Sequence, residues 1–114
     1  MAISLTMKHR SERVGALITE ELSKIILKEV ETPGTLLTIT ETDVSKDLTS
    51  AVVKFSAWPS EKSGEFLKIL EKRRPYLQHL LLKKLNIKPM PQISFKIDRG
   101  PEKAAEVEKA LLNK

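Results

Sequence analysis

Between positions 68 and 88 the chain places Lys68, Lys72, Arg73, Arg74, Lys83, Lys84 and Lys88 against Glu71 alone. That pattern suits polyanion binding. Guanidinium groups grip phosphate oxygens in pairs, and ammonium groups act as mobile point charges. The whole chain holds 20 Lys and Arg against 15 Asp and Glu, a net +5, so the remainder is close to neutral. Such polarisation predicts a face for a phosphate backbone rather than a uniformly basic surface. A solvated helix surface is the competing reading. Lys8, Arg10 and Arg13 form a second basic group, with Glu12 among them. Cations at the start of a helix are locally unfavourable, which points to a use elsewhere. Lys46 is a weaker candidate, because Asp43 and Asp47 flank it in sequence.

Residues that could turn over a substrate are missing. His9 and His79 stand far apart, and no phosphate-loop, nucleophile-elbow or His-Glu-x-x-His motif occurs. Asp43 and Asp47 admit a carboxylate-pair reading, but a turn capped by Asp, Ser and Thr side chains explains them more simply. The chain has no cysteine, which excludes disulfides and thiolate zinc sites. No catalytic residue, metal, cofactor or small-molecule substrate is expected. Phe55 and Phe95 fall on apolar strand faces and are read as core. Packing is also the expected place for Trp58 and Tyr76. Without aromatic platforms, folded RNA recognised by shape and phosphates fits better than an extended single strand.

The elements that position these charges follow from periodicity. Residues 8–30 carry Val14, Leu17, Ile18, Leu22, Ile25 and Ile26 on one helical stripe, stopped by Thr32-Pro33-Gly34. Leu36 to Val44 and Ala51 to Trp58 alternate as strands, joined by the polar link Ser45 to Ser50. In the first, Thr38, Thr40 and Thr42 are read as sharing one side. A helix over 61–73 meets Pro75, which predicts a break at Arg73-Arg74-Pro75 and a second helix over 75–85. Gln92 to Asp98 is a third strand, with Ile93, Phe95 and Ile97 on one face. Gly100-Pro101 opens a last helix with Ala104, Val107 and Leu111 inward. The order is α-β-β-α-α-β-α, a single α+β domain over residues 1–114, with helices on one face of a three-stranded sheet.

That order, with the core Val44-Ser45-Lys46-Asp47-Leu48-Thr49-Ser50-Ala51, resembles the ribosome-binding factor A family. The resemblance covers roughly Arg10 to Leu112 and is strongest from Thr38 to Ser56. It implies a KH-like domain of type II. KH modules place a Gly-x-x-Gly loop between two helices so that backbone amides approach phosphates. Here glycine occurs only at 15, 34, 64 and 100, and none lies between the central helices. The family replaces that loop with an Ala-x-Gly kink, and alignment on Tyr76-Leu77 puts Arg73 and Pro75 at its two ends.

The resemblance further implies a small-ribosomal-subunit maturation factor. Such a protein would bind immature subunits transiently through their rRNA, assist rRNA processing and support growth in the cold. Lys72, Arg73, Arg74, Lys83, Lys84 and Lys88 would carry the contact, with Lys8, Arg10 and Arg13 extending it. A cytoplasmic, non-enzymatic monomer is expected, with no membrane partner. The alternatives are a generic KH-like RNA-binding protein and a basic protein–protein adaptor.

Overall fold

A computed structural model describes residues 2–31 and 33–100, with side chains from Arg10 onward. Lys8 and the last helix expected from Pro101 onward lie outside the residues so described. The elements are α1 (Ala2–Glu29), β1 (Leu36–Val44), β2 (Ser50–Trp58), a 3-10 turn (Ser60–Lys62), α2 (Ser63–Leu85) and β3 (Gln92–Ile97).

The three strands form one sheet in the order β1-β2-β3. β1 pairs antiparallel with β2 across a short hairpin. β3 pairs parallel with β2, so α2 serves as the crossover that a parallel pair requires. Ala51, Val53, Phe55 and Ala57 of β2 and Ile93 and Phe95 of β3 point to one face and are buried. Both helices cover that face. Val14, Ile18, Leu22 and Ile26 of α1 recur every four residues and meet the sheet, and Val30 extends the row. Leu17, expected inside, is 43% exposed, because the contact follows the four-residue row and Leu17 lies off it.

Two local expectations are corrected. The threonines of β1 do not share a side. Ile39 pairs with Phe55 and Glu41 with Lys54, so Thr40 is an inserted bulge residue without a partner. The extra residue resets the alternation, and Ile39 and Thr42 both become buried.

The two central helices are one. α2 runs without interruption through Arg73, Arg74 and Pro75, so no helix boundary lies there. Proline removes one helical bond and crowds the preceding turn, at a cost of about 3 kcal/mol. Leu70, Leu77 and Leu81, at seven- and four-residue spacing, are fully buried on the same face. Each contributes about 1.5–3 kcal/mol on burial. Only a continuous helix keeps all three in register with the sheet, so packing outweighs the proline. α2 ends at Asn86, whose left-handed φ of 47° lets its N–H bond the Leu82 carbonyl at 2.8 Å.

The hairpin link is held by its own polar groups. Leu48 N–H donates to the Ser45 carbonyl at 2.9 Å. The Ser45 hydroxyl donates to Asp47 Oδ1 at 2.7 Å and accepts from the Thr49 and Ser50 amides. Asp47 Oδ1 also accepts from the Thr49 amide and hydroxyl. Leu48 adopts φ 62°, an unfavourable region for a branched side chain, and its burial in the core offsets that cost.

Candidate nucleic-acid interface

The basic residues divide into two groups with different surroundings. The first sits midway along α2. Lys72 is exposed there. Arg73 is half-buried and donates through Nη1 to the carbonyl of Glu29, at the C-terminus of α1. Its guanidinium lies 5.8 Å from the centre of the Tyr76 ring, within cation–π range. Tyr76 in turn donates its hydroxyl to Glu29 Oε1 at 3.1 Å, and that bond raises the phenol pKa. Arg74 pairs with Glu71 at 3.3 Å, and Glu71 accepts the Phe95 amide on its other oxygen at 3.1 Å. Both arginines are therefore engaged within the fold: Arg73 ties α2 to α1, and Arg74 pairs within α2 with the glutamate that meets β3. The sequence could not show this, because Glu29 is 44 residues away from Arg73.

The second group gathers at the end of the molecule where the hairpin link lies. Lys83 and Lys84 occupy the last turn of α2, favourable for cations, and Lys88 follows in the loop. All three are exposed. Among the described residues none of their ammonium groups has an ion-pair partner. α1 brings Arg10 to this end, where its Nη2 lies 3.4 Å from the Lys88 carbonyl. Arg13, one turn on, is exposed. Arg10 also lines a cleft with Lys46, Asp47, Leu48 and Pro89.

Lys46, a weaker candidate from sequence, is exposed at this same end. Its acidic neighbours are committed elsewhere. Asp43 pairs with Lys54 across the strands at 2.8 Å. Asp47 is turned into the link, where the Ser45 hydroxyl and then the Thr49 hydroxyl and amide hold its pKa down to about 2. The only signal available was the run of Ser and Thr beside Asp47, which predicts such a turn.

The aromatic expectation is also corrected. Phe55 and Phe95 are core, but Trp58 is 72% and Tyr76 46% exposed. Trp58 stands at the last position of β2, opposite Leu36, and the alternation that buries Ala57 turns it to the face that the helices do not cover. Tyr76 follows Pro75 on the outer side of α2 and contacts Arg73 and Glu29 instead of the core.

A family model for ribosome-binding factor A matches residues 10–111. The chain belongs to the ribosome-binding factor A family. It is similar to the ribosome-binding factor A of Dictyoglomus thermophilum, 36% identical, over 92% of this chain and 90% of the relative. A second relative, from Halothermothrix orenii, is 33% identical over 91% of this chain and 87% of its own length. In fold, it resembles the crystal structure of ribosome-binding factor A from Thermus thermophilus, with a TM-score of 0.67 and 23% identity. That match covers 79% of this chain and 98% of the other. It is also similar to a homology model of the Thermus thermophilus factor fitted into a cryo-EM map of its 30S complex. There the TM-score is 0.63 and the identity 25%, over 74% of this chain and 90% of that one. No helix among the described residues is long and apolar enough to cross a membrane.

Proposed function

We propose that this protein is a non-enzymatic maturation factor that binds immature small ribosomal subunits through their rRNA and assists rRNA processing in the cytoplasm. Family membership over residues 10–111 carries the reading, together with the relative fitted into a 30S complex. The local chemistry agrees with it. Exposed cations without ion-pair partners are the ones whose charge remains available to phosphates, and Lys83, Lys84 and Lys88, beside Arg10, Arg13 and Lys46, form one group of them. Lys72 adds a separate contact on α2. Lys8, two residues before Arg10 in the sequence, is proposed to extend the contact, as the family resemblance implies. Arg73 and Arg74 belong to the surface, but Arg73 also holds α2 against α1 and Arg74 is paired with Glu71 within α2.

Binding to one rRNA conformation shifts the population toward it by the differential affinity and by no more. Affinity built from phosphate contacts falls steeply with salt and carries little sequence information. Preference for immature particles must therefore come from the shape presented to the basic end.

Co-sedimentation with immature and mature small subunits over a salt series tests this. The wild-type protein is expected to pellet preferentially with immature particles and to lose binding as salt rises. Replacing Lys83, Lys84 and Lys88 together by Gln is expected to flatten the log–log salt slope by about two to three. Thermal stability should stay within about 0.5 kcal/mol, as for other surface changes. A folded triple variant with wild-type binding would overturn the assignment of these residues. Equal affinity for free structured RNA and for subunits would favour the generic RNA-binding alternative. Binding that survives nuclease treatment would favour the adaptor.

A further inference from the structure

The outer edge of β1 leaves backbone groups without partners. The bond from the Ser45 amide to the Ser50 carbonyl, at 2.9 Å, sets the phase of the β1–β2 ladder. By the alternation of an antiparallel pair, Glu41 and Asp43 direct their backbone groups to β2, while Thr42 and Val44 direct theirs outward. α1 crowds the Thr42 carbonyl, whose oxygen lies 2.5 Å from where a Cβ on Gly15 would stand. Among the described residues the Val44 N–H and C=O have no hydrogen-bond partner. They border a groove of about 480 Å³ between α1 and β1, floored by Gly15, Ala16 and Thr19.

The rim of this groove has one sign of charge. Glu12 and Glu20 line it from α1, and Glu41 and Asp43 from β1, with no Lys or Arg among the lining residues. Lys54 reaches Glu41 at 3.5 Å and Asp43 at 2.8 Å from the sheet face, and Lys24 reaches Glu20 at 3.7 Å. These two cations offset part of the charge from outside the groove, and Glu12 is itself engaged. On a chain of net +5, this surface repels a phosphate backbone and attracts cations.

We propose that the groove binds an extended polypeptide segment rich in lysine and arginine, supplied by a partner protein. An extended chain offers N–H and C=O groups at the spacing of a strand edge, which suits the free groups of Val44. Its alternate side chains would reach the carboxylates on the two rims, while the small residues of the floor leave room for its backbone. The groove adjoins the cleft lined by Arg10 and Lys46 and shares Ser11 and Glu12 with it, but none of the cations assigned to RNA lines the groove itself.

The test uses the free protein and the synthetic peptide Lys-Val-Lys-Val-Lys-Val-Lys, followed by backbone amide NMR at low salt. Saturable shifts are expected at Gly15, Thr19 and Val44, with none from the matching peptide in which Glu replaces Lys. The double variant Glu20→Gln, Glu41→Gln should weaken binding by about two- to thirtyfold, the range for losing two exposed charge pairs. Absence of shifts at millimolar peptide would overturn the proposal, as would equal shifts from the Glu peptide or shifts confined to other surfaces. Concentration-dependent shifts at the groove without peptide would also overturn it, since a second copy would then be the occupant. Subunit binding plays no part in this readout, so the outcome is separate from that of the RNA-binding reading.

Discussion

The two edges of the sheet are protected by opposite means. An exposed strand edge invites pairing with other chains, so folds cover it. At β3 the cover is made by added side chains. Gln78 of α2 accepts the Ile93 amide at 2.8 Å and donates to the Pro91 carbonyl at 2.9 Å. Glu71, two helical turns earlier, accepts the Phe95 amide. At β1 the cover is made by a missing side chain. A Cβ on Gly15 would lie 2.5 Å from the Thr42 carbonyl oxygen, so only glycine lets α1 approach so closely. The hydroxyls of Thr19 and Thr42 then meet at 2.8 Å. Side-chain cover satisfies the outward amides of Ile93 and Phe95 individually. Close approach covers one point and leaves the groove beside it open. The same device, a helix laid along an edge, thus gives a border bonded at two amides on one side and a more open one on the other.

The contrast can be broken from either side. The largest effect is expected for Gln78→Leu, which keeps the bulk but strands the Ile93 amide and the Pro91 carbonyl. The cost is about 1–3 kcal/mol for each buried group left unpaired, read from urea unfolding. A loss below 0.5 kcal/mol would mean that water satisfies the β3 edge as well. Next comes Gly15→Ala. Helix propensity alone would stabilise it by about 1 kcal/mol. Contact with a backbone oxygen that cannot yield should reverse the sign, giving a net loss of about 1–3 kcal/mol. A raised unfolding midpoint would show that α1 can move off β1 freely.

The smallest effect concerns the link that fixes where the β1 edge ends. The Asp47 carboxyl, lowered from its ordinary 3.8 to about 2, favours the folded state when ionised. A lowered folded-state value means that this contribution is full above the unfolded pKa and is lost as pH falls toward 2. Asp47→Asn should therefore lower the unfolding midpoint slightly at pH 7, and the difference should shrink between pH 4 and pH 2. A pH-independent difference would assign the effect to shape rather than charge.

Much of this architecture is written locally. β1 lies within the bounds that alternation predicts, β2 differs by one residue, and the buried set of β2 follows directly from its period of two. The four-residue row of α1 is equally plain, because local periodicity and tertiary burial agree there. What escaped has a tertiary cause. Pro75 reads as a stop until the burial of Leu70, Leu77 and Leu81 is set against it. The Thr40 bulge depends on how Phe55 and Lys54 meet their partners. In the candidate site, the clustering of charge and its position on α2 were legible. The engagement of Arg73 by Glu29 and the release of Lys46 from Asp47 were not, since each depends on which groups a folded backbone brings together.

The parallel pairing of β3 with β2 has a consequence for the order of assembly. The hairpin closes a short loop, whereas β3 can join only after α2 has formed and crossed the sheet, a closure with a larger entropic cost. The β3 border is thus expected to form late, after the transition state, while the hairpin forms early. Gln78→Leu should then accelerate unfolding and leave the folding rate nearly unchanged. A chevron in which the folding arm slows instead would place α2 and β3 in the nucleus.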